Sequence, residues 1–329
     1  MSQLTLVTTG DPIDSVRLDA DPDLTIGPDD VLVDMEAATI NPSDFLYASG
    51  YYGVQAVLER GLGSEGVGRV TEVGTNVDSA LKGARVVILA NLEQGTWAHQ
   101  SVVPAHNVVR VGETADAAQL AQLSVNPVTA HVLLSRYGDL ELGSWIGQTM
   151  GNGAVGQFVT KLARHAGYKT LSIVRSEKAA TQVRAAGGDI VLIAGDNLPA
   201  RIAEALDGQE LALVIDGEGG GNVGALASSL KFGGPVVAYS AFGGALPEIG
   251  ISDLILREVQ LSGWWLVNWI RNVSRAEIEA TYADLEALVD AGVIDSPVEA
   301  QYRLDQYREA FEHASRTGRS GKILFDLKH

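Results

Sequence analysis

Cysteine is absent from all 329 residues. That excludes disulfides, thiolate nucleophiles and every cysteine-ligated zinc or iron–sulfur site, and it leaves the redox compartment open. Basic residues are few: Lys plus Arg number 24 against 41 Asp plus Glu, a formal charge of −17. A chain so acidic lacks the basic surface that displaces counterions from nucleic-acid phosphates, although one local basic pocket for a phosphorylated ligand stays compatible with it. No apolar run approaches the roughly 20 residues of a membrane helix. Residues 1–7 carry no basic leader followed by a long apolar core. The expectation is a cytoplasmic protein with neither a nucleic-acid nor a membrane partner. The six histidines (His99, His106, His131, His165, His313 and His329) show no H-E-x-x-H or other close ligand spacing, and no G-x-S-x-G occurs. No metal and no serine triad are expected.

What is present is apolar material and glycine. Hydrophobic residues make up 46 % and glycine numbers 37, a turn-rich composition with enough apolar side chains for a sizeable core. At roughly 150 residues per domain the length suggests two domains. Up to about residue 110 the chain reads as short strands, including 31–37, 67–74 and 85–89, punctuated by Gly, Pro and Asp, which suggests a folded-over β domain. From near 120, short apolar runs alternate with amphipathic stretches: 145–150 then 155–166, 170–174 then 177–186, followed by 190–193, 211–215, 223–231 and 235–239. This alternation is the pattern of βαβ units feeding a parallel sheet. Beyond 265 the pattern predicts helices over 275–290 and 304–317 and a closing strand over 322–325.

Between the apolar run at 145–150 and the amphipathic stretch after it, Gly151, Gly153 and Gly156 satisfy G-x-G-x-x-G. The first glycine permits a tight turn and the second lets a pyrophosphate approach the backbone. The third lets the helix pack on its strand, and the helix N-terminus supplies free N–H groups and partial positive charge. The strand-to-helix position inside a βαβ series is the context this motif requires. The next strand, 170–174, ends in Arg175, where an NAD site usually places a carboxylate for the ribose 2′-OH. A guanidinium suits the 2′-phosphate of NADP instead. Ser176 adds a hydroxyl and Lys178 a second cation. Glu177 would repel a phosphate if turned inward, and would favour the helix macrodipole if turned to water. The cofactor expected is NADPH.

Several segments, in order, resemble the zinc-free 2-enoyl thioester reductases of the medium-chain dehydrogenase/reductase superfamily. Asn41-Pro42-Ser43-Asp44 followed by Gly50-Tyr51-Tyr52 resembles N-P-[AS]-D…G-x-Y, and Gly63-Ser64-Glu65-Gly66-Val67-Gly68 resembles the N-E-G-x-G turn with Ser64 for Asn. Gly95-Thr96-Trp97 is similar to G-T-W, and Ser124-Val125-Asn126-Pro127-Val128-Thr129-Ala130 to S-V-N-P-x-T-A. Asn152-Gly153-Ala154-Val155-Gly156-Gln157 is similar to N-S-[AG]-V-G-Q, Val174-Arg175 to V-R, Gly263-Trp264-Trp265 to G-F-W, and Gly321-Lys322 to the late lysine. The resemblance implies an α/β chain: a GroES-like catalytic domain over 1–122, a Rossmann doubly wound parallel-sheet domain over 123–265, and a return to the catalytic domain over 266–329. It implies NADPH-dependent reduction of the C2=C3 bond of an enoyl-CoA or enoyl-ACP, and a homodimer. Tyr52 matches the proton-donating tyrosine. Asn126, Asn152, Gly153, Ala154, Val155, Arg175, Ser176, Glu177, Tyr239, Ser240, Ala241, Phe242, Trp264, Trp265, Leu266 and Lys322 match cofactor-binding positions. The family's Y-G-G-M stands here as Tyr239-Ser240-Ala241-Phe242, and Ser-Glu follows Arg175 where an Asp-Arg type of pair is common.

The chemistry fits a phenol. Hydride attack on the β-carbon builds negative charge on the thioester oxygen, and the α-carbon then needs a proton. A phenol with a pKa of about 10 is protonated at pH 7 and donates without prior uptake. Tyr52 is the candidate, and Tyr51 is its obvious rival. Trp264 and Trp265 could wall a channel or simply pack. For Glu65, between Gly63 and Gly66, a satisfied structural carboxylate is favoured over a catalytic one. Two alternatives stay open: a quinone or enone reductase on the same scaffold, and a non-catalytic NADPH-binding protein.

Overall fold

The computed structural model describes residues 1–92 and 95–328, so His329 lies outside the described residues. The chain forms two compact units, one of Met1–Val125 with the segment from Leu266 onward, the other of Asn126–Trp265.

In the first unit the organising element is the strand Asp30–Thr39, buried along most of its length. It pairs antiparallel with Gly66–Val73, with Gln100–Pro104 and with the C-terminal strand Lys322–Asp326. The register sets Leu324 opposite Thr39 and Phe325 opposite Ala38. A seven-stranded sheet results, and a smaller three-stranded sheet is built on Gln3–Leu6. The helix Tyr307–Ser315 lays Tyr307, Ala310, Phe311 and Ala314 on one buried stripe, the i, i+3, i+4, i+7 spacing of a core-facing helix. Phe311 meets Trp97 at 5.0 Å between ring centroids and Phe45 at 5.2 Å, and Trp97 meets Phe325 edge-on at 5.7 Å. Trp97 is fully buried and its indole N–H donates to the Thr39 carbonyl at 3.0 Å. A large ring can therefore sit in the core without an unpaired donor. The stretch 304–317, read from sequence as one helix, is a single 3₁₀ turn over Leu304–Gln306 before the α-helix, which stops at Ser315 where Arg316 turns extended.

The second unit is a six-stranded, all-parallel sheet. In spatial order its strands are Ile190–Ile193, Lys169–Val174, Trp145–Gln148, Leu211–Asp216, Pro235–Ala238 and Gln260–Gly263. Leu211–Asp216 is buried at all six positions, as expected of a parallel strand covered on both faces. The helix Ala154–His165 buries Val155, Phe158, Val159 and Leu162 on one face. The first strand in sequence lies beside the fourth, so the order reverses between Trp145–Gln148 and Leu211–Asp216, and ligands of such sheets bind at the carboxyl ends around that point. A GroES-like β-rich unit and a doubly wound parallel sheet make the chain α/β, as its sequence leads one to expect. The helix Leu198–Leu206 and the outer strand Gln260–Gly263 are additions to that reading. No helix among the described residues is long and apolar enough to cross a membrane.

Candidate functional site

In the parallel-sheet unit the turn after Trp145–Gln148 has the build of a phosphate cradle. A Cβ on Gly156 would come within 2.6 Å of the Met150 carbonyl oxygen and 2.8 Å of Gly151 Cα. The helix thus packs on the turn more closely than any side chain would allow. On Gly151 a Cβ would meet Ser172 Cβ at 2.6 Å. Gly153 is the N-cap of the helix, no side chain caps it, and its first-turn N–H groups are left as donors. Ala154 and Val155 open the helix, and Asn152 presents its carbonyl to Gln157 Nε2 at 3.0 Å. From the strand end, Gln148 Nε2 reaches Thr160 Oγ1 at 3.0 Å and Ser172 Oγ at 2.9 Å, tying helix and neighbouring strand to the turn. These residues fit the pyrophosphate of a dinucleotide.

The neighbouring strand delivers Arg175 at its end, exposed. Ser176 spends its hydroxyl as the N-cap of the next helix, accepting from the Ala179 N–H at 3.3 Å. Glu177 pairs with Arg184 at 2.5 Å on the exposed helix surface.

Sequence reasoning missed what holds the reversal point together. Asp216, fully buried, accepts from Thr149 Oγ1 at 2.6 Å and from the backbone N–H groups of Glu218 and Gly219 at 3.1 Å each. Thr149 Oγ1 also accepts from the Gly217 N–H at 3.0 Å. The visible signal was an apolar strand ending in Asp before glycines at 217, 219, 220 and 221. Tyr239 lies against Gly217, and burial, aided by the Asp216 charge, pushes its phenol well above the usual range. Ser240 is half-buried, while Ala241 and Phe242 are exposed. Trp264 and Trp265 are half-buried, and the Trp264 N–H donates to the Ala238 carbonyl at 2.8 Å. Asn126 is buried at the start of the helix Asn126–Arg136.

In the β-rich unit the helix Pro42–Ser49 ends at Gly50, whose φ of 81° turns the chain back on itself. The two phenols that follow part company: Tyr51 is 83 % exposed, and Tyr52 is half-buried and engaged. Leu266 is buried at the start of the helix Leu266–Asn272.

A second polar centre lies in the same unit. Lys322 Nζ donates to Asn41 Oδ1 at 2.5 Å, and Asn41 Nδ2 donates to Glu65 Oε1 at 2.7 Å. The Asn41 N–H donates to Asp44 Oδ2 at 2.8 Å. Glu65 is fully buried and its Oε2 has no hydrogen-bond partner. The expectation of a fully satisfied structural carboxylate is therefore corrected for that oxygen. Burial pushes the Glu65 carboxyl well up, against the pull of Lys322 and Asn41. Burial likewise takes Asp44 up to about 6, against donors from Ser64 and Asn41. The Lys322 ammonium is lowered by burial and supported by the charges of Glu65 and Asp44. Its approach is fixed from the preceding turn: Glu299 Oε2 accepts from Ser320 and from the Gly321 N–H, and Glu299 Oε1 pairs with His313 at 2.9 Å. His313 and the Ser320 and Gly321 donors hold the Glu299 carboxyl down at about 2.

The GroES-like domain of alcohol dehydrogenases matches residues 27–113, and the family described as zinc-binding dehydrogenase matches 154–284. The zinc of that description does not fit this chain, which has no cysteine and, among the described residues, no group of three or more His, Asp or Glu placed to hold a metal. A mouse mitochondrial enoyl-[acyl-carrier-protein] reductase is 31 % identical over 323 residues, covering 97 % of this chain and 86 % of the mouse protein. Two solved structures share the fold. A mycobacterial quinone oxidoreductase has a TM-score of 0.87 at 24 % identity, covering 98 % of each chain. The complex of Etr1p with NADP and crotonyl-CoA has a TM-score of 0.83 at 21 % identity, covering 99 % of each.

Proposed function

The chain belongs to the medium-chain dehydrogenase/reductase superfamily, with the zinc-free 2-enoyl thioester reductases, and from that premise we propose that it reduces the C2=C3 double bond of a 2-enoyl thioester with NADPH. The observation that carries the reading is the likeness to an enoyl-[acyl-carrier-protein] reductase along 97 % of the chain. NADPH, when bound, supplies the hydride that reaches the β-carbon, and NADP⁺ is left. The chain supplies the rest. The uncapped helix start and its glycines hold the pyrophosphate, and the Arg175 guanidinium takes the 2′-phosphate. Asn126, Tyr239, Ser240, Ala241, Phe242, Trp264, Trp265, Leu266 and Lys322 complete the cofactor contacts in this reading. Tyr52 gives its hydroxyl proton to the α-carbon as charge leaves the thioester oxygen, and water restores it. The saturated thioester is the product, with CoA or acyl-carrier protein as the carrier. The working form is a homodimer.

The fold shared with a quinone oxidoreductase supports a second reading, quinone or enone reduction, which needs no proton-donating tyrosine. NADPH oxidation followed at 340 nm separates the two. Turnover with crotonyl-CoA and none with a simple quinone is expected. Turnover with the quinone alone would overturn the first reading. Tight NADPH binding without turnover on either acceptor would leave a non-catalytic binding protein.

A further inference from the structure

Glu65 is a costly residue to bury. Its side chain is wholly inside the β-rich unit, Asn41 donates to Oε1, the Val125 N–H supports the carboxylate, and Oε2 makes no hydrogen bond among the described residues. A carboxylate retained for stability would have both oxygens satisfied, because an orphaned buried acceptor loses its hydration for nothing. The turn that carries it is just as constrained: Gly63 has φ of 102°, and a Cβ there would meet Trp97 at 2.5 Å and Thr96 Oγ1 at 2.6 Å. What the buried charge can act on is close by. The Asn41 amide lies between Glu65 and Lys322, its N–H₂ toward the carboxylate and its carbonyl toward the ammonium. Turned over, it would face donor with donor and acceptor with acceptor, so the two charged groups lock it in one orientation. The amide dipole then carries the influence of the carboxylate to the lysine. One of the three ammonium N–H bonds goes to Asn41.

We propose that Glu65 is the positioning residue for Lys322, acting through Asn41 to keep the ammonium charged and held in one orientation. The proposal rests on the reading above in one respect, that Lys322 is a cofactor contact. The groups facing the pair are all in the same unit. Glu65 and Asp44 favour the charged lysine and Arg319 opposes it. Lys322, Asn41 and the Val125 N–H favour the charged Glu65, Asp44 opposes it, and Tyr282 lies within reach of its field. Removing the Glu65 charge leaves Asp44 alone against burial and Arg319, so the protonation midpoint of the lysine must fall.

The test is competitive acetylation of the full-length protein with acetic anhydride across pH, reading Lys322 by mass spectrometry, beside NADPH titration by fluorescence. In Glu65→Gln, nearly isosteric and neutral, the Lys322 midpoint should drop by about one pH unit or more, the usual scale for losing an opposite charge within about 4–6 Å. Glu65→Asp should restore most of it. NADPH affinity should weaken in Glu65→Gln, increasingly so as pH rises, and adding Lys322→Met should weaken it further below the shifted midpoint but no further above it. An unchanged midpoint in folded Glu65→Gln overturns the proposal. If that variant does not fold, Asn41→Ser cuts the amide link while keeping a helix-capping oxygen, and an unchanged midpoint there overturns it equally. A shifted midpoint with NADPH affinity indifferent to Lys322→Met upholds the Glu65–Lys322 link and removes Lys322 from the cofactor site, so failure of the functional reading is distinguishable.

Discussion

Two adjacent tyrosines show how one rotation of the backbone assigns chemistry. The left-handed Gly50 ends its helix, and the Tyr51 N–H returns to the Leu46 carbonyl at 2.9 Å. Tyr51 is 83 % exposed, so little packing holds its phenol in a fixed position. Tyr52, half-buried, can be held in one orientation. Tyr52→Phe keeps the ring and removes only the hydroxyl. Turnover at saturating NADPH and crotonyl-CoA is expected to fall about 10²-fold or more, the scale of a lost general acid, with the melting temperature unchanged. Tyr51→Phe should leave turnover nearly as it was. Steady-state kinetics on the pair decides, and near-normal turnover in Tyr52→Phe would remove that residue from the mechanism.

At the scale of elements, the strand Lys169–Val174 and the helix Glu177–Ala185 form, in the proposed reading, one device for the cofactor's ribose. Ser176 caps the helix and Glu177 turns along it to Arg184, so neither opposes Arg175 at the strand end. Arg175→Ala should raise the KM for NADPH far more than that for NADH, because only the former carries the 2′-phosphate that a guanidinium binds. Equal effects on the two cofactors would show that no such contact exists. The strand, turn and helix that carry these residues were legible in the sequence, since their parts lie within a few residues and follow from strand, turn and cap chemistry. The glycine turn was legible for the same reason. The Lys322–Asn41–Glu65 chain was not: its members are 281 and 24 residues apart and meet only because the C-terminal strand pairs with Asp30–Thr39. The Thr149–Asp216 bond, spanning 67 residues, was hidden by the same non-local pairing. The outer strand Gln260–Gly263 escaped notice because exposure at all four positions erases the apolar signal that marks a buried parallel strand.

That same exposure has a consequence for the whole molecule. Gln260–Gly263 is the last strand of the six-stranded sheet, bonded on one side only. Leu261 is 46 % exposed, and the helix just before it shows Ile255 at 66 % and Leu256 at 73 %. An open strand edge beside apolar side chains invites pairing with another strand, and in the proposed homodimer a second copy would meet it with the same edge about a two-fold axis. The charge opposes this, for two chains of −17 repel. Repulsion between surfaces is screened by salt while apolar burial is not, so the dimer should tighten as ionic strength rises. Light scattering after size exclusion is expected to give twice the 34.7 kDa of one chain. Leu256→Glu combined with Leu261→Lys should return it to one chain, with NADPH affinity retained because neither residue belongs to the cofactor contacts. A wild-type protein that runs as a single chain at physiological salt, or a dimer that loosens as salt is added, would place the association elsewhere or nowhere.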